Sequence, residues 1–319
     1  MIIHKDSGLK GCQLFPALAS RLSSNILFVF ILSSINIGCQ PDLEQPYEIK
    51  KLRILGVKAD SPQIKVNLNG NIPSFYPEKV NFEILAADPE SVCKEERFKK
   101  RLSVCIPQQY TDDSSYDIDC EGENEISISG FSLEPIKFFM ELMYRYKDIG
   151  HVNMPIEFVL KDNRFKLPLP VMARVSNDKE EVIAIKFVEF ISYEIDNRNP
   201  KITSVLVDNI DVTSKGYHFA LISNREYKIT PIVDKKTIDK VYYEGIDRYE
   251  DEGIQFSFFA QKGEFDKVAT SDKSPDVLYK TPNLEAEEYT SIYIVARDFR
   301  GGIDWVIMNC IRILPDIEE

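Results

Sequence analysis

Six cysteines, three histidines and an excess of carboxylates are the residues of this 319-residue chain with chemistry to offer. The cysteines are Cys12, Cys39, Cys93, Cys105, Cys120 and Cys310, and no CxxC or HxxxH spacing accompanies them, so a zinc site has no local ligand set. His151 and His218 have no close Cys or His, and a Ser-His-Asp arrangement would need distant assembly. There is no GxSxG elbow, no GxxxxGK[ST] phosphate cradle and no GxGxxG fingerprint. Acidic runs such as Asp112-Asp113, Glu180-Glu181 and Glu250-Asp251-Glu252 could supply the two carboxylates of a glycosidase. They fall in expected loops, where a charge run is usually a solvated face. The expectation is a protein without catalytic residues.

Where the cysteines act depends on the compartment. Residues 26–32, Ile-Leu-Phe-Val-Phe-Ile-Leu, form a short apolar run preceded by Lys5, Lys10 and Arg21, and the run leads to Gly38-Cys39. A basic start, a short apolar centre and a small residue before the cut mark a secretory signal. The run of about 12 residues is too short for a spanning helix, which needs about 20. Gly38-Cys39 resembles the lipobox of bacterial lipoproteins, with Asn36 where that family usually has an aliphatic residue. The resemblance implies cleavage before Cys39, lipidation of its thiol and anchoring of the mature chain in a membrane. Gln40 after the cysteine implies the outer membrane.

In an exported chain Cys12 leaves with the signal and Cys39 carries lipid, so four cysteines remain and three pairings are open. Cys93 and Cys105 bracket a charged stretch and read as a stapled surface loop; Cys120 and Cys310 stay unassigned.

The elements that position these residues are mostly strands. Tyr (15), Phe (19) and recurrent Val and Ile suit a pleated, half-buried surface. Val80, Phe82 and Ile84 alternate with Asn81 and Glu83, as a strand with one wet face does. Further strands are expected near 52–57, 64–68, 155–160, 170–175 and 182–192, with a turn at Ser176–Lys179. One helix is expected, capped by Ser132, stopped by Gly150, and packing through Ile136, Phe139, Met140, Met143 and Tyr144. The polar, Pro-terminated stretch Asp196–Pro200 reads as a domain boundary. Strands then recur at 202–207, 227–233, 254–260, 291–297 and 303–313. Gly301 and Gly302 reverse the chain, and Trp305 is expected in a sandwich core. The fold class is therefore mainly β: two immunoglobulin-like β-sandwich domains in tandem, the first with a helical insertion. The divisions are a signal at 1–38, a tether at 39–48, an N-terminal domain at 49–196 and a C-terminal domain at 197–319.

The run Arg297-Asp298-Phe299-Arg300-Gly301-Gly302-Ile303-Asp304-Trp305, an RDxRGGxxW element, resembles the C-terminal part of a group of uncharacterised bacterial lipoproteins with Ig-like (PKD/cadherin-like) modules. Ile254–Phe265, Thr281-Pro282, the Asn197–Pro200 linker, paired Cys93 and Cys105, and Leu52–Ala59 also fit that group. The resemblance implies a two-part extracytoplasmic β protein and brings no activity with it. A fainter likeness to cadherin repeats would make Asp196 and Asn199 calcium ligands, but Arg198 stands where a second acid belongs. Calcium wants six to eight oxygens, so a plain linker is the preferred reading, and no cofactor is expected.

The net charge is −12, and no basic patch of useful length interrupts the acidity, so nucleic acid is not an expected partner. The expected function is a lipid-anchored binding or assembly module of the cell envelope, meeting an envelope protein or an external ligand. A purely structural spacer, and a hydrolase or its accessory protein, are the alternatives.

Overall fold

The computed structural model describes residues 45–67, 73–93, 98–105, 109–110, 116–117, 125–148, 166–192, 197–213, 219–243 and 248–316. Strands dominate, as the aromatic and β-branched composition leads one to expect. They assemble into four principal sheets, and each of the three large cores lies between two of them.

The N-terminal half pairs two sheets. One holds β1 (Arg53–Ala59), β4 (Val80–Ala87) and β9 (Ser132–Leu133) in the order β1-β4-β9. The other runs β3-β2-β11-β10-β5-β8, from β2 (Gln63–Asn67), β3 (Ser74–Tyr76), β5 (Lys99–Cys105), β8 (Glu125–Ile128), β10 (Lys166–Ser176) and β11 (Glu181–Ile191). Between them lies a core that includes Leu52, Val57, Ile64, Phe82, Val104, Val171 and Phe190. The long β10–β11 hairpin closes on the expected turn, where Asn177 Oδ1 accepts from the amides of Lys179 and Glu180. A small β6 (Gln109–Tyr110) and β7 (Tyr116–Asp117) pair stands apart.

The C-terminal half repeats the plan. One sheet runs β13-β12-β15-β21-β19, from β12 (Ile202–Val207), β13 (Ile210–Asp211), β15 (Glu226–Val233), β19 (Glu264–Phe265) and β21 (Val277–Lys280). The facing sheet runs β14-β23-β22-β18-β20, from β14 (Ala220–Ile222), β18 (Gln255–Ala260), β20 (Ala269–Ser271), β22 (Glu288–Arg297) and β23 (Ile303–Leu314). A β16 (Lys240–Tyr243) and β17 (Arg248–Asp251) hairpin leads into β18. The core between the sheets gathers Val205, Ile229, Phe256, Phe258, Tyr279, Ile294 and Ile311.

A third core joins the halves, and residues from Pro46 onward belong to one compact unit. On β4 the even positions Phe82, Ile84 and Ala86 face the first core, while the odd positions are solvated at Asn81 and Glu83. Farther along, the odd positions become Leu85 and Ala87, which pack instead against Tyr293 and Val295 of β22 and Ile303 of β23. Trp305 therefore sits half-buried in this seam with Val295 as its cross-strand partner, not in the C-terminal sandwich core as expected. The reason is a bulge in the β22–β23 ladder between Thr290 and Ile292, which moves Met308 and Ile311 to the sandwich core and leaves Ile303 and Trp305 on the opposite face.

The helix α1 (Pro135–Asp148) starts later than Ser132, which is in β9, and Pro135 occupies the first turn, where a missing N–H costs nothing. Its packing face also differs from the expected stripe. Phe138 is buried and stacks with Phe190, and Phe139 meets Phe75, whereas Met140 and Tyr144 are exposed. The strand expected at 155–160 lies outside the described residues.

The disulfide is the sharpest correction. Cys93 bonds to Cys310, 217 residues away, and not to Cys105. β4 and β5 belong to opposing sheets, so the short chain between them does not bring the two thiols together. Cys105 is itself disulfide-bonded and fully buried beside Met172, while Cys39 and Cys120 lie outside the described residues.

Candidate functional site

The RDxRGGxxW element forms the β22–β23 turn, and the structure gathers most of the singled-out residues around it. Asp298 sets the turn. Its Oδ1 accepts from the amides of Arg300 at 2.8 Å and Gly302 at 2.6 Å, and its own amide donates to the Gly302 carbonyl. Gly302 is required by close approach, since a Cβ there would stand 2.0 Å from Asp298 Oδ2 and 3.1 Å from the Arg198 carbonyl. Gly301 is required by conformation, with φ at +94°.

Arg300 turns inward from this turn. Its guanidinium donates to Glu252 through Nε at 2.9 Å and Nη2 at 2.7 Å, and to Asp239 at 3.1 Å. Asp239 also receives Nε and Nη2 of Arg198 on Oδ1, and the Arg198 amide on Oδ2. Both carboxylates are buried, so two acids and two arginines form a closed charge network at the end of the C-terminal half. Burial works against the Arg300 charge, but the hydrogen bonds it donates to Glu252 and the negative charge of that carboxylate outweigh it and raise the guanidinium pKa. Asp298 is pushed up, first by burial and then by the charge of Glu252.

The linker is built into the same place. Asn199 Nδ2 donates to the Ala59 carbonyl at 2.7 Å, and its Oδ1 accepts from the Ile303 amide at 2.9 Å. Asn197 Nδ2 donates to the Arg300 carbonyl. Asp304 accepts from Lys58 Nζ at 2.8 Å and from the Ile202 amide at 2.8 Å. Arg297 reaches the Leu55 carbonyl at 2.5 Å, and Lys186 Nζ donates to the Gly301 carbonyl. Burial drops the Lys186 ammonium to a pKa of about 8, against the opposing pull of Asp298. One turn thus touches the linker, β1 and β11 at once.

Asn199, an expected calcium candidate, has its carboxamide engaged by backbone groups, and Asp196 lies outside the described residues. Among the described residues no group of three His, Cys, Asp or Glu side chains converges in a metal-holding geometry. Two oxygens, Asp298 Oδ2 and Asn197 Oδ1, are buried without a hydrogen-bond partner among the described residues. Asp239 and Glu252 are the residues that sequence reasoning missed. Glu252 was grouped with a solvated acidic run, and its burial beneath Arg300 has no local signal. One member of the turn points out: the Phe299 ring is 76% exposed and rests over Gly253, where a Cβ would stand 3.3 Å from Phe299 Cε2.

The arrangement pairs Asp239 and Glu252 with Arg198 and Arg300, anchors three segments and presents an aromatic ring.

Neither a family model nor a curated protein matches the chain. Among solved structures, the chain is similar to the fibronectin(III)-like modules of Clostridium thermocellum CbhA, with 10% identity over 84% of this chain and 97% of that one, at a TM-score of 0.23. The D00-D0 domain of Intimin aligns at 9% identity over 83% and 98%, with a TM-score of 0.23. A Porphyromonas gingivalis W83 protein of unknown function aligns at 8% identity over 82% and 99%, with a TM-score of 0.19. Scores this low carry no argument about fold or function, which rest on the sheets and side chains themselves.

Proposed function

We propose that this chain is an exported lipoprotein, anchored through Cys39 in the bacterial cell envelope, whose body is a pair of Ig-like sandwiches acting as a binding or assembly module rather than an enzyme. The helix between β9 and β10 is then an insertion in the first sandwich. The signal-like run ending at Gly38-Cys39 supports the anchor. The observation that carries the binding reading is the β22–β23 turn, where the charged side chains are held internally and Phe299 is left projecting. An exposed aromatic on a rigid turn is a low-entropy contact residue, because its support is already ordered before a partner arrives.

The spacer reading also has an observation in its favour, since the seam core and the linker hydrogen bonds tie the halves together as one body. The two readings separate in one experiment. Chemical crosslinking in intact cells should capture a specific envelope component, and Phe299→Ala should abolish capture without lowering the melting temperature. A protein that crosslinks nothing while remaining membrane-bound is a spacer. Cys39→Ser tests the anchor separately: it should release the protein from membrane fractions or leave the leader uncleaved.

A further inference from the structure

The seam between the halves is closed at two ends by different means. At one end the polypeptide itself crosses, through Asn197–Lys201, with Asn199 bridging Ala59 and Ile303. At the other end, Gln261 Nε2 donates to the Asp88 carbonyl at 2.7 Å and to Ser91 Oγ at 3.3 Å, while its Oε1 accepts from the Ser291 amide. Two residues beyond Ser91, Cys93 is bonded to Cys310, with their Cα atoms 4.7 Å apart. Ser291 also donates to Asn309, the neighbour of Cys310, so the hydrogen bonds and the disulfide form one continuous closure.

Three features set this disulfide apart from a buried staple. Cys93 is an exposed residue, in reach of solution as a buried half-cystine is not. Cys310 is part of the β23 bulge, not of the regular ladder. Both half-cystines hold left-handed backbone, with φ of 57° at Cys93 and 60° at Cys310, a region that residues with a Cβ rarely occupy. Once the bond is broken, neither residue is held there by the crosslink. The segment Asp88–Cys93 can then leave β23 without disturbing either sandwich core, since neither cysteine belongs to those cores.

We propose that Cys93–Cys310 is a redox-sensitive clasp that controls whether the seam is closed at this end. A dithiol reductant supplies the chemistry. Its thiolate attacks the Cys93 sulfur, the sulfur–sulfur bond breaks, and Cys310 leaves as a thiolate that takes up a proton. The second thiol of the reductant then displaces Cys93 from the mixed disulfide, closing the reductant's own disulfide. Two electrons and two protons pass to the protein, and the reductant is oxidised. The clasp does not depend on the lipid anchor or on the partner proposed above.

The clasp end is read from the Ser291 amide, which donates to the Gln261 side chain that also holds Asp88 and Ser91, while Trp305 lies at the linker end beside Lys58 and Ile303. Because Cys105 is also disulfide-bonded, reductant is not selective, and a Cys93→Ser/Cys310→Ser double variant of the full chain is the cleaner probe. In the double variant, amide hydrogen exchange at Ser291 should become severalfold faster, with an unchanged far-UV spectrum. Wild-type protein titrated with dithiothreitol should show the same change, and reoxidation should reverse it. Unchanged exchange at Ser291 in the double variant would mean that the seam closes unaided at this end and would overturn the proposal. Loss of the far-UV β signal would overturn it too, because the bond would then be holding the sandwiches and not the seam.

Discussion

Gly56 on β1 packs against Trp305 on β23: a Cβ at Gly56 would stand 3.4 Å from Cε3 and Cζ3 of the indole and 2.9 Å from Cδ1 of Ile303. The bare backbone lets the two halves approach across the seam. A Cβ alone would press only on the movable end of Ile303, but the two further methyls of a valine would have to be fitted beside the indole as well. Gly56→Val should destabilise the whole unit by about 1–3 kcal/mol, the usual range for overpacking. Urea unfolding checks it, and a cost within error would mean that the seam is looser than the packing shows.

Arg300 is worth more than a surface charge at a turn. Its guanidinium is mostly buried between Glu252 and Asp239, whose side chains are buried almost completely. Removing it leaves buried Glu252 without its guanidinium partner and Asp239 with Arg198 alone, so Arg300→Ala should cost about 3–5 kcal/mol. Arg198 meets Asp239 from the solvent side with its own side chain more than half exposed, and Arg198→Ala should cost about 1 kcal/mol or less. Adding Glu252→Gln to Arg300→Ala should recover part of the loss in a double-mutant cycle. Equal costs for the two arginines would show that burial does not decide their weight.

Tyr47 ties the incoming chain to the distant C-terminal core. Its carbonyl accepts from the Ala260 amide at 2.9 Å, and its ring meets Phe265 edge to face at 5.9 Å. Arg53 fastens the same segment by donating to the carbonyls of Pro46 and Glu48. The chain then passes through all three cores in six residues, with Tyr47 in the C-terminal core, Ile49 in the seam and Leu52 in the N-terminal core. Tyr47→Ala should therefore cost about 3 kcal/mol. A C-terminal fragment of residues 199–319, which lacks Tyr47, should melt lower than the same fragment supplied with a peptide spanning 45–52. No response to the peptide would show that this strand contributes little to the core.

The pH dependence should carry the mark of Lys186. Its ammonium has a folded pKa of about 8 against an ordinary value of 10.5, because burial disfavours the charge. Between those two values the unfolded chain holds a proton that the folded chain has released, so this group makes stability rise with pH across the window. Below about pH 8 it imposes a constant penalty. Lys186→Met should be more stable at pH 7, and the gap to wild type should narrow as pH climbs from 8 towards 10. Tyr47 and Tyr289 have raised pKa values and titrate alkaline of this window in both proteins, so the difference between the two stability curves isolates the lysine. A gap that does not change over that range would sink the assignment.

What could be read along the chain was local. Ile202–Val207 is the strand that its β-branched run foretells, and Glu181–Ile191 pairs with Lys166–Ser176 across the turn that Asn177 chemistry marks. The Gly301-Gly302 reversal was legible for the same reason, since it depends on backbone freedom within a few residues. The inward positions of single strands, such as Phe82 and Ile294, were also visible, because alternation tells which residues share a face.

Alternation does not say what each face meets, and that is where tertiary structure decided. Leu85, Ala87 and Val295 lie on faces turned away from the two sandwich cores, and Trp305 is expected within one of those cores, yet the four meet in a third core because two outer faces pack together. The β23 bulge changes the parity that would have placed Trp305 beside Ile311, and nothing in the local residue types announces it. Phe138 rather than Phe139 is the buried position of the helix, because the sheet it packs on presents Phe190 to Phe138, a contact that helical spacing alone does not announce. Cys93 chose Cys310 over its sequence neighbour Cys105 because opposing sheets carry the near pair apart while the seam brings the far pair together. The sequence by itself determined the strands, the turns and the inward residues, all set by interactions a few residues long. Which faces, charges and thiols would meet across the seam was decided by packing between strands that lie as much as 246 residues apart, a range over which no periodicity carries information.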